Sequence, residues 1–329
     1  MIKKFLALVI LFSLLAAAGF GYWATRPIFA SGQKIEFTIA PGSTLKGTVR
    51  QMRQAGVPVN FWLMTALAEL SGNSTRLKAG TYDLEPGTSP FRLLQELVHG
   101  EFAQAVLVVI EGWTFHQMRA AVDADPWLRH DTAGLSDQEL MEKVAGDARP
   151  PEGLFYPDTY LFAKNATSDL QIYRQAYSLM AKRLAAAWAA RDPSVPYADP
   201  YQALIMASIV EKETGSKADR PQISGVFVNR LKAGMLLQTD PTVIYGMGDR
   251  YKGNISRRDL QTDTAYNTYL RPGLPPTPIS LPGAASLYAA LHPAKTNALY
   301  FVSRGDGSSQ FSATLNEHNN AVNKYQRPH

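Results

Sequence analysis

"ALIMASIVEKETGS", Ala203–Ser216, is an unbroken apolar run that ends in Glu211, Lys212 and Glu213. Up to Val210 its only polar side chain is Ser208, so the segment reads as a helix built for the interior of a mainly helical domain. Two carboxylates close that helix, and the question is which of them does chemistry. On a 3.6-residue period Glu213 stacks over Met206, Ile209 and Val210, whereas Glu211 follows Leu204, Ala207 and Ser208. Desolvation raises a carboxyl pKa, and an acid still protonated near neutral pH can donate a proton to a leaving oxygen. The greasier neighbours make Glu213 the candidate general acid and leave Glu211 as a surface or supporting residue. The two lie about 200° apart around the helix, which excludes a paired-carboxylate site. The competing reading is a helix end that turns charged as it reaches solvent.

The chain has 329 residues, 46% of them apolar and only 19% charged, which is enough for a sizeable core and two soluble domains. Its net charge of +5 is scattered without Lys/Arg runs, so no nucleic-acid partner is expected. The absence of cysteine excludes disulfides, thiolate nucleophiles and Cys-based metal sites. His116, His130, His292 and His318 show no metal-ligand spacing, so neither a metal nor a cofactor is expected.

At the N-terminus, "FLALVILFSLLAAAGFGYWA" from Phe5 to Ala24 carries no charge and is long enough to cross about 30 Å of hydrocarbon. The small residues Ala16 to Gly19 also fit the end of a cleavable signal peptide. The apolar run continues to Phe20 and closes on Tyr22 and Trp23, which suit a membrane interface and favour an uncleaved anchor. Lys3 and Lys4 place its start inside and everything after Arg26 outside the cytoplasm.

Beyond the anchor a pattern recurs. "IAPGSTLKGTVRQM" from Ile39, "LEPGTSPFRLLQEL" from Leu84 and "VIEGWTFHQMRAAV" from Val109 each read as strand, glycine turn, hydroxyl residue and amphipathic helix. Gly42, Gly87 and Gly112 permit the turn, and Thr44, Ser89 and Thr114 cap the helix. With the alternating strand "AGTYDLE", they outline a small α/β module that starts near Ile35 and ends near Ala105. A helical pattern runs from Asp169 to Ala190, and long Pro/Gly-rich loops and an alternating "ALYFVSR" follow the opening helix.

Three loop strings supply further candidates for binding substrate. In "EGLFYPDTY", Glu152, Asp158 and Tyr160 combine hydrogen-bonding groups with aromatic faces suited to sugars; alternatively Pro157 and Asp158 form a turn, with Tyr156 and Tyr160 in the core. In "LQTDPTVIYG", Gln238, Asp240 and Tyr245 face Glu213 across a cleft, or Asp240 caps the following segment. Asn267 and Tyr269 in "YNTY" have the same two readings.

"ASIVEKETG", followed by "VFVNRLKAGMLLQTDPTVIYG", "YNTY", "GLPPTPI" and "HPAKTNALYFV", closely resembles the endolytic murein transglycosylases of the YceG-like family over nearly the whole chain. The resemblance implies an α+β protein: a transmembrane anchor (1–26), a small LysM-like α/β module (27–105) and a mainly helical, lysozyme-like catalytic domain with long loops and short strands (106–329). It implies a lyase of the bacterial inner membrane, single-pass with a cytoplasmic N-terminus and a periplasmic catalytic domain. The substrate would be peptidoglycan glycan strands, cut at the MurNAc–GlcNAc β-1,4 bond to leave 1,6-anhydro-MurNAc ends, with penicillin-binding peptidoglycan synthases as partners. The string "KET" is similar to the glutamate and hydroxyl residue of other lysozyme-like lytic transglycosylases, and that match falls on Glu213, a single acid that turns base. A glycan hydrolase, with Asp240 as its second acid, and a non-catalytic glycan-binding scaffold are the competing classes.

Overall fold

The structure, a computed structural model, describes residues 2–216 and 218–326. In chain order its elements are α1 (Ile2–Thr25), β1 (Ile35–Ile39), α2 (Leu45–Gln54), α3 (Phe61–Leu70), β2 (Gly80–Leu84), α4 (Pro90–His99), β3 (Gln104–Val108), α5 (Phe115–Asp123), α6 (Asp137–Ala145) and β4 (Thr159–Ala163). They continue with α7 (Asp169–Ala189), α8 (Pro200–Glu213), α9 (Arg220–Lys232), α10 (Asp240–Met247), α11 (Arg257–Leu260), α12 (Ala284–Leu291), β5 (Tyr300–Ser303), β6 (Ser309–Ser312) and α13 (Leu315–Tyr325). The strands form three two-stranded sheets, so the chain is mixed, with small sheets and many helices.

The chain divides into two compact units. The first holds the residues up to Val106 and takes in two returning segments, Pro126–Arg129 and Leu161–Ser168. The second of these segments carries the end of β4, which pairs with β3. Within this unit β1 and β2 are antiparallel, with Phe37 opposite Tyr82 and their rings stacked at 5.6 Å. Met52, Leu93, Leu94 and Leu97 complete a dry core with them. The last turns of α1 join it through Phe20, Trp23 and Ala24, an i, i+3, i+4 stripe. The rest of α1 is exposed apolar surface, and the helix is long and apolar enough to cross a membrane.

The recurrent turn folds three times over, twice in the first unit and once at the start of the second. After β1, β2 and β3, Gly42, Gly87 and Gly112 take positive φ of 75°, 92° and 81°, where a side chain would be strained. The hydroxyls of Thr44, Ser89 and Thr114 then accept from Gly47, Arg92 and Gln117 N–H and cap α2, α4 and α5.

The second unit is organised around α8. Asp199 caps it by accepting from Gln202 N–H at 2.9 Å, and Pro200 follows where its missing N–H costs nothing. All residues from Ala203 to Val210 are buried, against α7, α9, α10 and α12. The long "GLPPTPIS" loop is ordered because Ser208 pins it: Ile279 N–H donates to Ser208 Oγ at 3.0 Å, and Ser280 Oγ donates to the Ser208 carbonyl at 3.1 Å. An antiparallel hairpin of β5 and β6, with α13 packed on it, ends the unit.

Candidate active site

At the C-terminal end of α8 the chain turns extended at Thr214, and a cleft of about 940 Å³ opens there. It is lined by Glu213, by Arg230 of α9, by Leu237, Gln238, Asp240 and Tyr269, and by the β5–β6 hairpin through Tyr300 and Ser309, with His318 of α13. All these groups belong to the second unit.

Three groups define the environment of Glu213. Burial pushes its carboxyl up to about 7; the Thr239 hydroxyl, which donates to Oε1, pulls it down; the Asp240 charge raises it and Arg230 lowers it. A carboxyl so poised can hold a proton near neutral pH and also take one back. Thr239 is itself fixed: its N–H donates to Thr268 Oγ1 at 3.1 Å, and its carbonyl accepts from Thr242 Oγ1 at 2.7 Å. The segment alternates faces, with Leu237 and Thr239 buried and Gln238 and Asp240 turned outward, and Gln238 takes a φ of 51°.

Arg230 is buried and is held by carbonyls, Nε donating to Leu299 at 2.7 Å and a terminal nitrogen to Leu237 at 2.8 Å. Its guanidinium lies 5.3 Å from the Tyr300 ring centre, and that ring stacks on His318 at 5.2 Å. A fixed cation thus stands beside the acid, and aromatic faces line the same trough.

Glu211 is not a surface residue. Its side chain is only 5% exposed and accepts from Arg220 at 2.9 Å and from Gly283 N–H at 2.9 Å. It ties the end of α8 to the start of α9 and to the loop before α12, a buried ion pair that apolar periodicity does not disclose.

The cleft gathers Gln238, Asp240 and Tyr269 with Glu213. Asp240 does not cap α10; its carboxylate accepts the Tyr269 hydroxyl at 2.6 Å. The other candidates lie elsewhere in the second unit. Glu152 is buried, accepts from Phe115 N–H and from the Tyr245 hydroxyl at 3.0 Å each, and is pushed by burial to about 7. It therefore fixes the start of α5 against α10, and Tyr245 is spent on it. Tyr160 is buried and donates to the Tyr156 carbonyl, while exposed Asp158 accepts from Thr159 N–H, so this string follows the turn-and-core alternative. Asn267 is fully buried and closes a turn by donating to the Leu260 and Thr262 carbonyls and accepting from Tyr269 N–H. Sequence reasoning missed Thr239, Arg230, Tyr300 and His318. One signal was available: Arg230 is the charge that breaks the apolar rows of "VFVNRL".

Comparison with known proteins gives one consistent result. The pattern of the YceG-like family matches residues 37–324. The chain is 36% identical over 275 residues to a Bacillus subtilis protein named endolytic murein transglycosylase, covering 75% of this chain and 73% of that one. A Streptococcus pneumoniae protein of the same name is 28% identical over an alignment of 341 residues, which covers 92% of this chain but only 61% of the pneumococcal one. A crystal structure of a yceG-like protein from Listeria monocytogenes superposes with a TM-score of 0.56 at 30% identity, over 88% of this chain and 99% of that one.

Proposed function

The chain belongs to the YceG-like family, and from that membership we propose that it is a membrane-anchored endolytic murein transglycosylase. The observation that carries the reading is the Glu213 carboxyl, pushed up to about 7 by burial where it lines the cleft, and steadied by the Thr239 hydroxyl. The substrate is the glycan strand of peptidoglycan, cut at the MurNAc–GlcNAc β-1,4 bond.

Glu213 protonates the bridging oxygen as the bond to muramyl C1 breaks, and the glucosamine leaves with a hydroxyl. The charge developing at C1 is stabilised by the muramyl acetamide and nearby dipoles. The Glu213 carboxylate then takes the proton of the C6 hydroxyl as O6 closes on C1, giving a 1,6-anhydro end and restoring the acid. No water is consumed, so no second carboxylate is needed, in contrast to hydrolytic glycosidases. The Arg230 cation next to Glu213 favours the carboxylate that exists between the two transfers.

The first unit is proposed as a LysM-like module that aligns the strand, and the second as a lysozyme-like catalytic domain. With α1 spanning the inner membrane, Lys3 and Lys4 inside, both stand on the periplasmic side, where peptidoglycan synthases are the fitting partners. A hydrolase reading keeps one supporting observation, that Asp240 lines the same cleft as Glu213. Mass spectrometry of glycan released from isolated cell wall separates the readings: anhydro ends support the transglycosylase, reducing ends the hydrolase, and no release a scaffold.

A further inference from the structure

The helix α3, "FWLMTALAEL", carries a single charge, Glu69, and has two different faces. Met64, Thr65, Leu67 and Ala68 point into the core of the first unit. The opposite side bears Trp62, 73% exposed, and Leu70, 79% exposed, with half-buried Leu63 and Ala66 between them and exposed Glu69 at its edge beside Trp62. A protein that left this face in water would expose an apolar stripe along a whole helix.

Its place beside α1 identifies what covers it. Leu63 and Leu70 line an apolar groove of about 620 Å³ together with Ala16, Ala17, Phe20 and Trp23 of α1. If Lys4 marks the inner edge of the hydrocarbon, about 20 residues at about 1.5 Å each carry the helix some 30 Å, to Ala24 at the outer edge. Ala16 to Trp23 then occupies roughly the outer 10 Å of the bilayer, and whatever packs beside that stretch lies at the same depth. An exposed Trp at that level has the amphipathic ring favoured at membrane interfaces. The Arg50 guanidinium, 6.0 Å from the Phe61 ring centre at the start of α3, supplies a cation for lipid headgroups.

We propose that α3 is a second membrane contact: its Trp62–Leu70 face lies in the outer leaflet beside α1, so that the first unit rests on the lipid surface. The inference rests on α1 spanning the membrane. It places the proposed glycan-aligning unit against the bilayer, where newly made strands emerge, and not at the end of a free tether.

The chain contains no cysteine, so one introduced thiol gives a unique nitroxide site in the full-length protein. The labelled variants are Trp62→Cys and Leu70→Cys, with Leu8→Cys as the reference inside the proposed span and exposed Glu142→Cys as the aqueous one, all in phosphatidylethanolamine/phosphatidylglycerol liposomes. At 62 and 70, collisions with oxygen are expected to exceed those with an aqueous nickel chelate, as at position 8, with the ratio inverted relative to position 142. Nickel access at 62 and 70 equal to that at 142, with position 8 still shielded, overturns the α3 contact and leaves the span intact. Nickel access at position 8 removes the span and the α3 contact with it. Dipolar broadening between labels at 62 on different chains assigns the face to a second copy and also overturns the proposal.

Discussion

Glu213→Gln is expected to raise the stability of the protein at alkaline pH while removing its chemistry. In the folded protein burial holds the carboxyl at about 7, against an ordinary value of 4.5. Each pKa unit corresponds to about 1.36 kcal/mol, so ionising Glu213 in place costs roughly 3 kcal/mol, reduced to about 2 kcal/mol because the residue is open to the cleft. The native state keeps the proton between about pH 4.5 and 7 while the unfolded chain has released it. The contribution is therefore fully present below about 4.5 and is lost as pH rises through about 7. Gln has no proton to lose and its Oε1 still accepts the Thr239 hydroxyl, so the variant escapes that loss. Its advantage is near zero at pH 4 and reaches about 2 kcal/mol at pH 8, a rise in melting temperature of roughly 4–8 °C for a unit of this size. The assay is thermal unfolding of the two full-length proteins at both pH values, with anhydro-end release measured in parallel. Release should fall by at least ~10²-fold, the usual scale of a general acid–base group. Equal melting at pH 8, or an advantage that grows as pH falls, would refute the desolvated-acid reasoning.

In the wild-type protein kcat/KM for anhydro-end release should decline as pH rises through about 7, because the first transfer needs protonated Glu213. Thr239→Val removes the hydrogen bond that holds this carboxyl down, so the decline should move to higher pH, with Thr239→Ser restoring it; an unmoved limb contradicts the assignment. Glu211→Gln leaves buried Arg220 without a counter-ion and should cost about 3 kcal/mol of stability, read by denaturant unfolding, with the activity of the folded fraction retained. The mature protein should keep its N-terminal helix and stay in the membrane fraction after a salt wash; N-terminal sequencing that starts near Gly19 would show a cleaved signal instead.

What the sequence determined by itself was local. The charge-free run of α1, the three glycine turns with their capping hydroxyls and the interior character of α8 all follow from neighbours a few residues apart, which set backbone geometry and periodicity directly. Periodicity also singled out Glu213, the acid of the proposed reaction, yet the same pattern fits Glu211. Every residue from Ala203 to Val210 is buried, so both carboxylates follow apolar neighbours and the helix face alone does not separate them. What separates them is what each meets past the helix end. Glu211 meets Arg220 and the Gly283 N–H, from nine and 72 residues away, and is neutralised in a closed ion pair. Glu213 meets the Thr239 hydroxyl, 26 residues on, and an open cleft. Glu152 likewise takes its partners from afar: Phe115 N–H and Tyr245 lie 37 and 93 residues off, on opposite sides in sequence. Whether a carboxyl becomes an acid, an ion pair or a strut depends on desolvation and on partners within hydrogen-bond reach, and only tertiary packing brings distant residues that close.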